Sequence, residues 1–157
     1  MPITEVTNSQ ETPGHLAPTP AAAHAFIARQ LTGAVVMLNL LRFRETADYS
    51  AAPELAPPTP ITGAAAYRRY MRHAQPFLQQ AGGDVLFLGQ AGPFLIGPDD
   101  ERWDLAMLVR YPTVQSFLSF TSNPGYLSGI GHRTAALKDS RLLPLVETPP
   151  PPTTPES

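Results

Sequence analysis

The chain contains no cysteine. That absence excludes a disulfide framework, a thiol nucleophile and a thiolate metal site together. Charge is also scarce: 15% of the 157 residues are charged, and the formal net charge is −2. Non-specific binding to nucleic acid needs a basic field over the phosphates, which this balance does not supply. No run of about 20 apolar residues is present to span a bilayer. The opening residues, MPITEVTNSQETPG, lack the basic and apolar regions of a cleaved secretion signal. A cytoplasmic protein is expected. The four histidines, at positions 15, 24, 73 and 132, show no HxH or HxxxH spacing, so no metal site is expected. "GIGHRT" lacks the third glycine and the preceding strand of a dinucleotide loop, and no G-x-S-x-G elbow occurs. No bound cofactor is expected.

Proline, by contrast, is abundant and unevenly placed. Pro2, Pro13, Pro18 and Pro20 crowd the front, and Pro149 to Pro152 with Pro155 crowd the back. Residues 1–18 are polar and have little to bury, so they are expected to be unordered. A single domain over residues 19–147 follows, then a polyproline-like, unordered tail at 148–157. Thr19-Pro20 reads as an N-cap followed by proline at the first helical position, opening a short helix with Ala23, Phe26, Ile27 and Leu31 on one face. "AVVMLNLLRF", residues 34–43, is a strand apolar on both faces and therefore covered on both. Residues 44–60 form a long, proline-broken loop, of the kind that serves as a lid or binding loop or is disordered. Thr62 caps a helix to about Ala81, with Tyr67, Tyr70, Met71, Ala74, Phe77, Leu78 and Ala81 in one stripe. Pro76 predicts a kink within it.

Beyond Gly82-Gly83, Val85–Gln90 is a strand, and Phe94–Ile96 is expected to continue or re-enter the sheet. Trp103–Tyr111 alternates apolar and polar positions and is the clearest strand. Thr113 caps a further helix, Asn123-Pro124 restarts a second helical piece, and Arg141–Val146 closes the fold as a strand. Strand, helix, strand, strand, helix, strand, after a leading helix, is the α+β ferredoxin-like βαββαβ pattern. Both helices of that pattern cover one sheet face. Strands apolar on both faces then require a partner, and a second copy is the economical one. The expectation is a homodimer that packs sheet to sheet, with one pocket per subunit between sheet and helices.

The strings "VVMLNLLRF", "AGG", "WDLAMLVRYP", "NPGY" and "HRTAALKDSRL" together resemble an uncharacterised branch of the dimeric α/β-barrel, ferredoxin-like superfamily. The resemblance covers about residues 20–146. The wider superfamily includes cofactor-independent monooxygenases of antibiotic biosynthesis, isomerases and cyclases. For this chain the resemblance implies fold and dimerisation more than activity, because fold analogy does not carry function. The proline-rich insertion at 44–61 and the extended termini depart from the shortest members.

Several residues are candidates for chemistry. Asn39 interrupts an apolar strand on the face of Val35, Met37 and Leu41, and a buried amide left unpaired would cost about 1–3 kcal/mol. It meets a structural partner, water or a ligand, and "MLNLLRF" is among the strings that carry the resemblance. Arg42 and Arg110 lie at strand ends, where arginine usually reaches solvent but can clamp a carboxylate. Tyr67, Tyr70, Trp103, Tyr111 and Tyr126 read first as core, although at a cavity wall each would present a polar tip to a ligand. Asp99-Asp100-Glu101 is a turn whose carboxylates point into water.

The stretch GHRTAALKDSRLLPL, residues 131–145, concentrates His132, Arg133, Lys138, Asp139 and Arg141 within ten positions of a chain poor in charge. One reading is a structural clasp in which Asp139 pairs with Arg133 or Arg141. The other places His132 and Arg133 at a cavity mouth, His132 as general acid or base and Arg133 holding an anionic group. The resulting functional expectation is a cofactor-independent enzyme acting on a small organic molecule by oxygenation, isomerisation or cyclisation. His132, Arg133 and Asn39 would be catalytic, with Asn39, Arg42, Tyr70, Trp103 and Tyr126 on the substrate. The alternative is a non-catalytic, metabolite-binding or structural dimer.

Overall fold

The computed structural model describes residues 14–154. Strand β1 (Val35–Phe43) occupies the interior of a four-stranded antiparallel sheet because it can bury side chains on both faces. It pairs with β3 (Leu105–Tyr111) on one side and β4 (Leu137–Leu145) on the other, and β2 (Asp84–Gln90) adds beyond β3. The order β2-β3-β1-β4 is the ferredoxin-like arrangement. Register assigns each side chain to a face: Asn39 lies opposite Met107 and Leu142, and Met37 opposite Val109 and Pro144. With Val35 and Leu41 these odd-numbered positions meet the helices and form the core with Ala66, Tyr67, Tyr70, Tyr111, Phe120 and Tyr126. Leu38, Leu40, Leu108, Phe87, Leu143 and Leu145 point the other way by strand alternation.

Helix α2 (Gly63–Gln80) forms as its sequence predicts. Thr62 accepts from the Ala65 N–H, and Gly63, Ala66, Tyr67, Tyr70 and Ala74 make the buried stripe. Pro76 sits inside the helix without ending it. Gly82 then takes φ +79°, a backbone conformation costly for any residue with a Cβ. After β3, Thr113 caps α3 (Val114–Ser122) and Asn123 caps the short α4 (Pro124–Leu127). The single-turn pieces end in α5 (Ile130–Ala136), which passes directly into β4.

Four expectations are corrected. Phe94–Ile96 does not re-enter the sheet: beyond Gln90 only a bridge between Pro93 and Arg102 continues the pairing, and the three side chains are exposed. The clearest strand begins at Leu105, because Asp104 turns its carboxylate onto the Phe43 N–H at 2.8 Å. The last strand starts at Leu137 and not Arg141, so Asp139 and Arg141 are strand neighbours on one face. The leading helix α1 (Pro20–Ala28) forms behind its Thr19 cap but buries none of its residues, and Leu31 lies past its end.

Two segments are better tied down than proline content suggests. In the 44–62 loop, Arg44 N–H donates to Ala136 O, Asp48 N–H to Ala135 O and Ala47 N–H to Ile61 O, and Pro53–Leu55 form a turn of 3-10 helix. The loop is thus docked on α5, with Ala52 buried. At the front, residues 14–18 belong to the fold and not to an unordered segment. Ser140 Oγ donates to His15 O, Arg133 donates to Leu16 O, and His15 N–H donates to Asp139. The rest of the predicted unordered front, residues 1–13, and the end of the tail at 155–157 lie outside the described residues. Residues 148–154 carry no helix or strand.

Candidate functional site

Between the helix-facing side of the sheet and helices α1 to α5 lies a cleft of about 1650 Å³. Its floor is Met37, Asn39, Met107, Val109 and Leu142, and its roof is the stripe of α2. The size has a local cause. Helix α1 forms one wall with no buried residue of its own, touching the rest of the molecule mainly through Phe26, which meets Phe117 edge-on at 6.0 Å. The β2 side is open as well, since Val85 and Leu88 line the cleft while about half exposed.

Aromatic rings run through the site in sequence. Phe43 contacts Tyr67, Tyr67 contacts Tyr70, Tyr70 contacts Tyr126, and Tyr126 stacks on Phe120 with centroids 4.3 Å apart. Tyr111 then joins Phe120 to Phe117. The Tyr70 and Tyr126 hydroxyls share a hydrogen bond of 2.6 Å. Those of Tyr67 and Tyr111 have no hydrogen-bond partner among the described residues, but the oxygens are not sealed off as the Arg44 Nε and Trp103 Nε1 nitrogens are, and both residues line the cleft. Burial is the main reason that the Tyr67, Tyr70 and Tyr111 hydroxyls ionise well above the usual phenol range, so all three remain proton donors. The Arg133 guanidinium acts in the opposite direction on Tyr67 and Tyr70, which sets a positive charge near the phenols.

Asn39 reaches the cleft from β1, and its amide donates to Met37 O at a long 3.3 Å, so the strand carbonyl satisfies it weakly. Arg133 also lines the cleft, where it holds Leu16 O and, at 3.4 Å, Ser140 Oγ. Tyr70 and Tyr126 are wall residues as well. The structure therefore brings Asn39, Tyr70, Tyr126 and Arg133 into one site, with Tyr67 and Tyr111 beside them.

Three other candidates lie elsewhere. His132 is absent from the cleft lining: one residue along α5 is about 100° of rotation, which turns it away from Arg133 toward the 44–62 loop. There its Nδ1 is 2.7 Å from the Tyr49 hydroxyl. Burial, then the positive charge of Arg69 and the neighbouring His73, hold the imidazole below its ordinary pKa. Arg42 and Trp103 line a separate depression of about 490 Å³, with Asp139, Arg141 and Glu101. The clasp is there: Arg141 donates to Asp139 at 2.8 Å, approaches Glu101 at 3.7 Å and lies over the Trp103 ring at 4.9 Å. Burial works to raise the Asp139 pKa, but hydrogen bonds from His15 N–H, Arg141 and Ser140 N–H outweigh it and lower the net value. His73 is structural, its Nε2 donating to Gly125 O at 2.8 Å.

The sequence signalled Tyr67 and Tyr111 only as stripe aromatics, because nothing local distinguishes a packed phenol from one beside a cleft. Tyr49 and Ser140 gave no signal, since their partners are 83 and 125 residues away in the chain. No group of His, Asp and Glu among the described residues is placed to hold a metal ion. No helix among them is long and apolar enough to cross a membrane.

Sheet order and helix placement define an α+β protein of ferredoxin-like fold with a tyrosine-walled cleft. Residues 58–147 match the family described as "Domain of unknown function (DUF1330)", and the chain belongs to that family. It is similar to the methylated RPA0582 protein at 38% identity, with 87% of this chain and 97% of that one covered and a TM-score of 0.78. A second structure of RPA0582, a protein of unknown function from Rhodopseudomonas palustris, matches at 39% identity over 87% and 99%, with a TM-score of 0.75. No curated protein matches the chain.

Proposed function

We propose that this chain is a homodimeric protein whose cleft binds, and acts on, a small aromatic or carbonyl-bearing molecule without a bound cofactor. The observation that carries the reading is the pair of hydroxyls, Tyr67 and Tyr111, without a protein partner, on a cleft that also holds Asn39 and Arg133. Every one of these groups offers a hydrogen-bond donor, and the surrounding lining is largely apolar. Such a site favours ligand oxygens that accept: a carbonyl, a carboxylate or an enolate. Donors held rigidly in a low-dielectric site stabilise negative charge as it develops on oxygen, which is how isomerisation, cyclisation or oxygenation of a conjugated carbonyl would be assisted. Arg133 supplies the positive charge, and Asn39 orients the ligand.

A homodimer is supported by the sheet face turned away from the helices, where Phe87, Leu143 and Leu145 are exposed. The second reading is binding without turnover. It is favoured by the placement of His132 outside the cleft, which removes the general base that the sequence offered.

A thermal-shift screen of aromatic acids and ketones, on wild type, Asn39→Ala and Tyr67→Phe, tests the proposal. Hits should raise the wild-type melting temperature and do so less in both variants. Mass spectrometry of each hit after incubation then separates catalysis from binding. If no compound stabilises the wild type, the ligand site is refuted.

A further inference from the structure

The segment ahead of β1 is fastened firmly at its front and turns sharply at its back. At the front, His15 N–H donates to Asp139, His15 O accepts from Ser140 Oγ, and Leu16 O accepts from Arg133. At the back, Gln30 at φ +48° and Gly33 at φ +78° are both left-handed and carry the chain from α1 into β1. Between these points α1 buries no residue, and no strand or other helix among the described residues packs along it. Its contacts below are light: Phe26 meets Phe117 edge-on, and Arg29 reaches Pro144 O at 3.5 Å. Yet α1 is a wall of the cleft, so His15 to Gly33 form a strap whose position sets how open the cleft is. The latch of this strap is also a cleft residue. Arg133 gives Nη1 to Leu16 O and Nη2, at 3.4 Å, to Ser140 Oγ, and both partners line the cleft with it. Two neutral oxygens thus share one guanidinium fork, an arrangement that a single carboxylate satisfies better, with both its oxygens and a full opposite charge.

We propose that the ligand of the cleft is a carboxylate, and that it takes Arg133 by displacing the Leu16 carbonyl, which releases the strap. Ligand and strap then compete for one guanidinium, and the strap is the gate of the cleft. This rests on the cleft being the ligand site. A neutral ketone or amide offers the fork a single uncharged oxygen, no better than the one it already holds, so it leaves the latch closed. The closed strap lowers apparent affinity: latched for roughly nine-tenths of the time, it would make binding about tenfold weaker than to the open cleft. Release is visible without a ligand assay, because a helix of nine residues freed from its anchors does not hold its own hydrogen bonds in water. Gly14 offers a way to open the strap from outside the cleft. Its Cα lies against β4, where an added Cβ would overlap the Lys138 carbonyl, and it is not a cleft residue.

The test uses the full chain at pH 7, with sodium benzoate as the carboxylate and benzamide as its neutral isostere, at one ionic strength held with sodium chloride. Hydrogen exchange by mass spectrometry reads the strap over residues 14–31, with β1 and β3 as internal controls, and thermal shift reads binding. Benzoate should speed exchange in the wild-type strap at least about fivefold and leave β1 and β3 unchanged, and benzamide should do neither. Gly14→Ala should have a fast strap without ligand and half-saturate with benzoate at a concentration at least about threefold lower. Arg133→Met should have a fast strap and no response to benzoate. Benzoate that raises the melting temperature without speeding the strap overturns the gate, as does a fast strap in Gly14→Ala with wild-type benzoate affinity. Wild-type protection of the strap in both variants overturns the latch. Equal responses to benzoate and benzamide, or none to benzoate in wild type and Gly14→Ala alike, overturn carboxylate recognition. Ketones that stabilise the protein where benzoate does not would refute this inference and leave the cleft standing as a ligand site. Failure of every compound in the screen would refute the ligand site itself and the inference with it.

Discussion

Removing single phenolic oxygens from the cleft should give opposite results at positions that look alike in sequence. The Tyr70–Tyr126 bond, at 2.6 Å, joins two buried side chains. Tyr70→Phe deletes it and leaves the Tyr126 hydroxyl without that partner. Leaving a buried hydroxyl unpaired costs about 1–3 kcal/mol, so a loss near 2 kcal/mol is expected. For a chain of this size that corresponds to a fall in melting temperature of roughly 4–8 °C. Tyr67→Phe and Tyr111→Phe break no protein hydrogen bond and remove an oxygen that opens onto the cleft, so each should fall within about 0.5 kcal/mol of wild type. The assay is calorimetry with parallel urea unfolding at one fixed protein concentration, because the proposed homodimer would make stability depend on concentration. If Tyr67→Phe costs as much as Tyr70→Phe, its hydroxyl is paired inside the protein, and the argument for a ligand at that position collapses.

Arg133→Met should cost about 1.5–3 kcal/mol through loss of charged hydrogen bonds. Hydrogen exchange should then lose protection over residues 14–30 while β1 and β3 keep theirs, because Arg133 holds Leu16. Acidification should lower stability through His132. Its pKa in the fold lies below the ordinary value, so the unfolded chain binds more protons between the two. The contribution is full above about pH 6.5 and is lost as pH falls through the folded value. Melting curves from pH 7 to 5 should be less steep in pH for His132→Gln, and an unchanged slope would assign the effect to other groups. Gly63→Ala should destabilise by about 2–3 kcal/mol in urea unfolding, because its Cβ would press on the carbonyls of Arg44 and Ala136. Both carbonyls are already fixed by hydrogen bonds, from the Gly63 and Arg44 N–H groups respectively.

The segment HRTAALKDSR, residues 132–141, shows why only part of the site was legible. Asp139 and Arg141 are two residues apart in a strand, so a local pattern was enough to suggest their pairing. His132 and Arg133 are adjacent in sequence and read as one unit, yet the helix sends them to different sides. Arg133 faces the phenols and His132 faces Tyr49. Phe94–Ile96 misled for a related reason. A short apolar run looks like a strand wherever it occurs, and only its position at a hairpin tip decides that it meets solvent or a partner.

Sequence alone determined the elements that depend on neighbours a few residues away. The threonine and asparagine caps, the stripe of α2, the alternation of β3 and the two-faced apolarity of β1 all follow from local periods of 3.6 and 2. From their order came the ferredoxin-like sheet and the need to cover its second face. Tertiary structure alone decided which tyrosines pack and which face a cleft, and that residues 14–18 are fastened to β4. It also decided that His132 leaves the site in which Arg133 remains. Those outcomes depend on contacts between positions up to 125 residues apart. No local pattern encodes such contacts, because each is set by how whole elements pack.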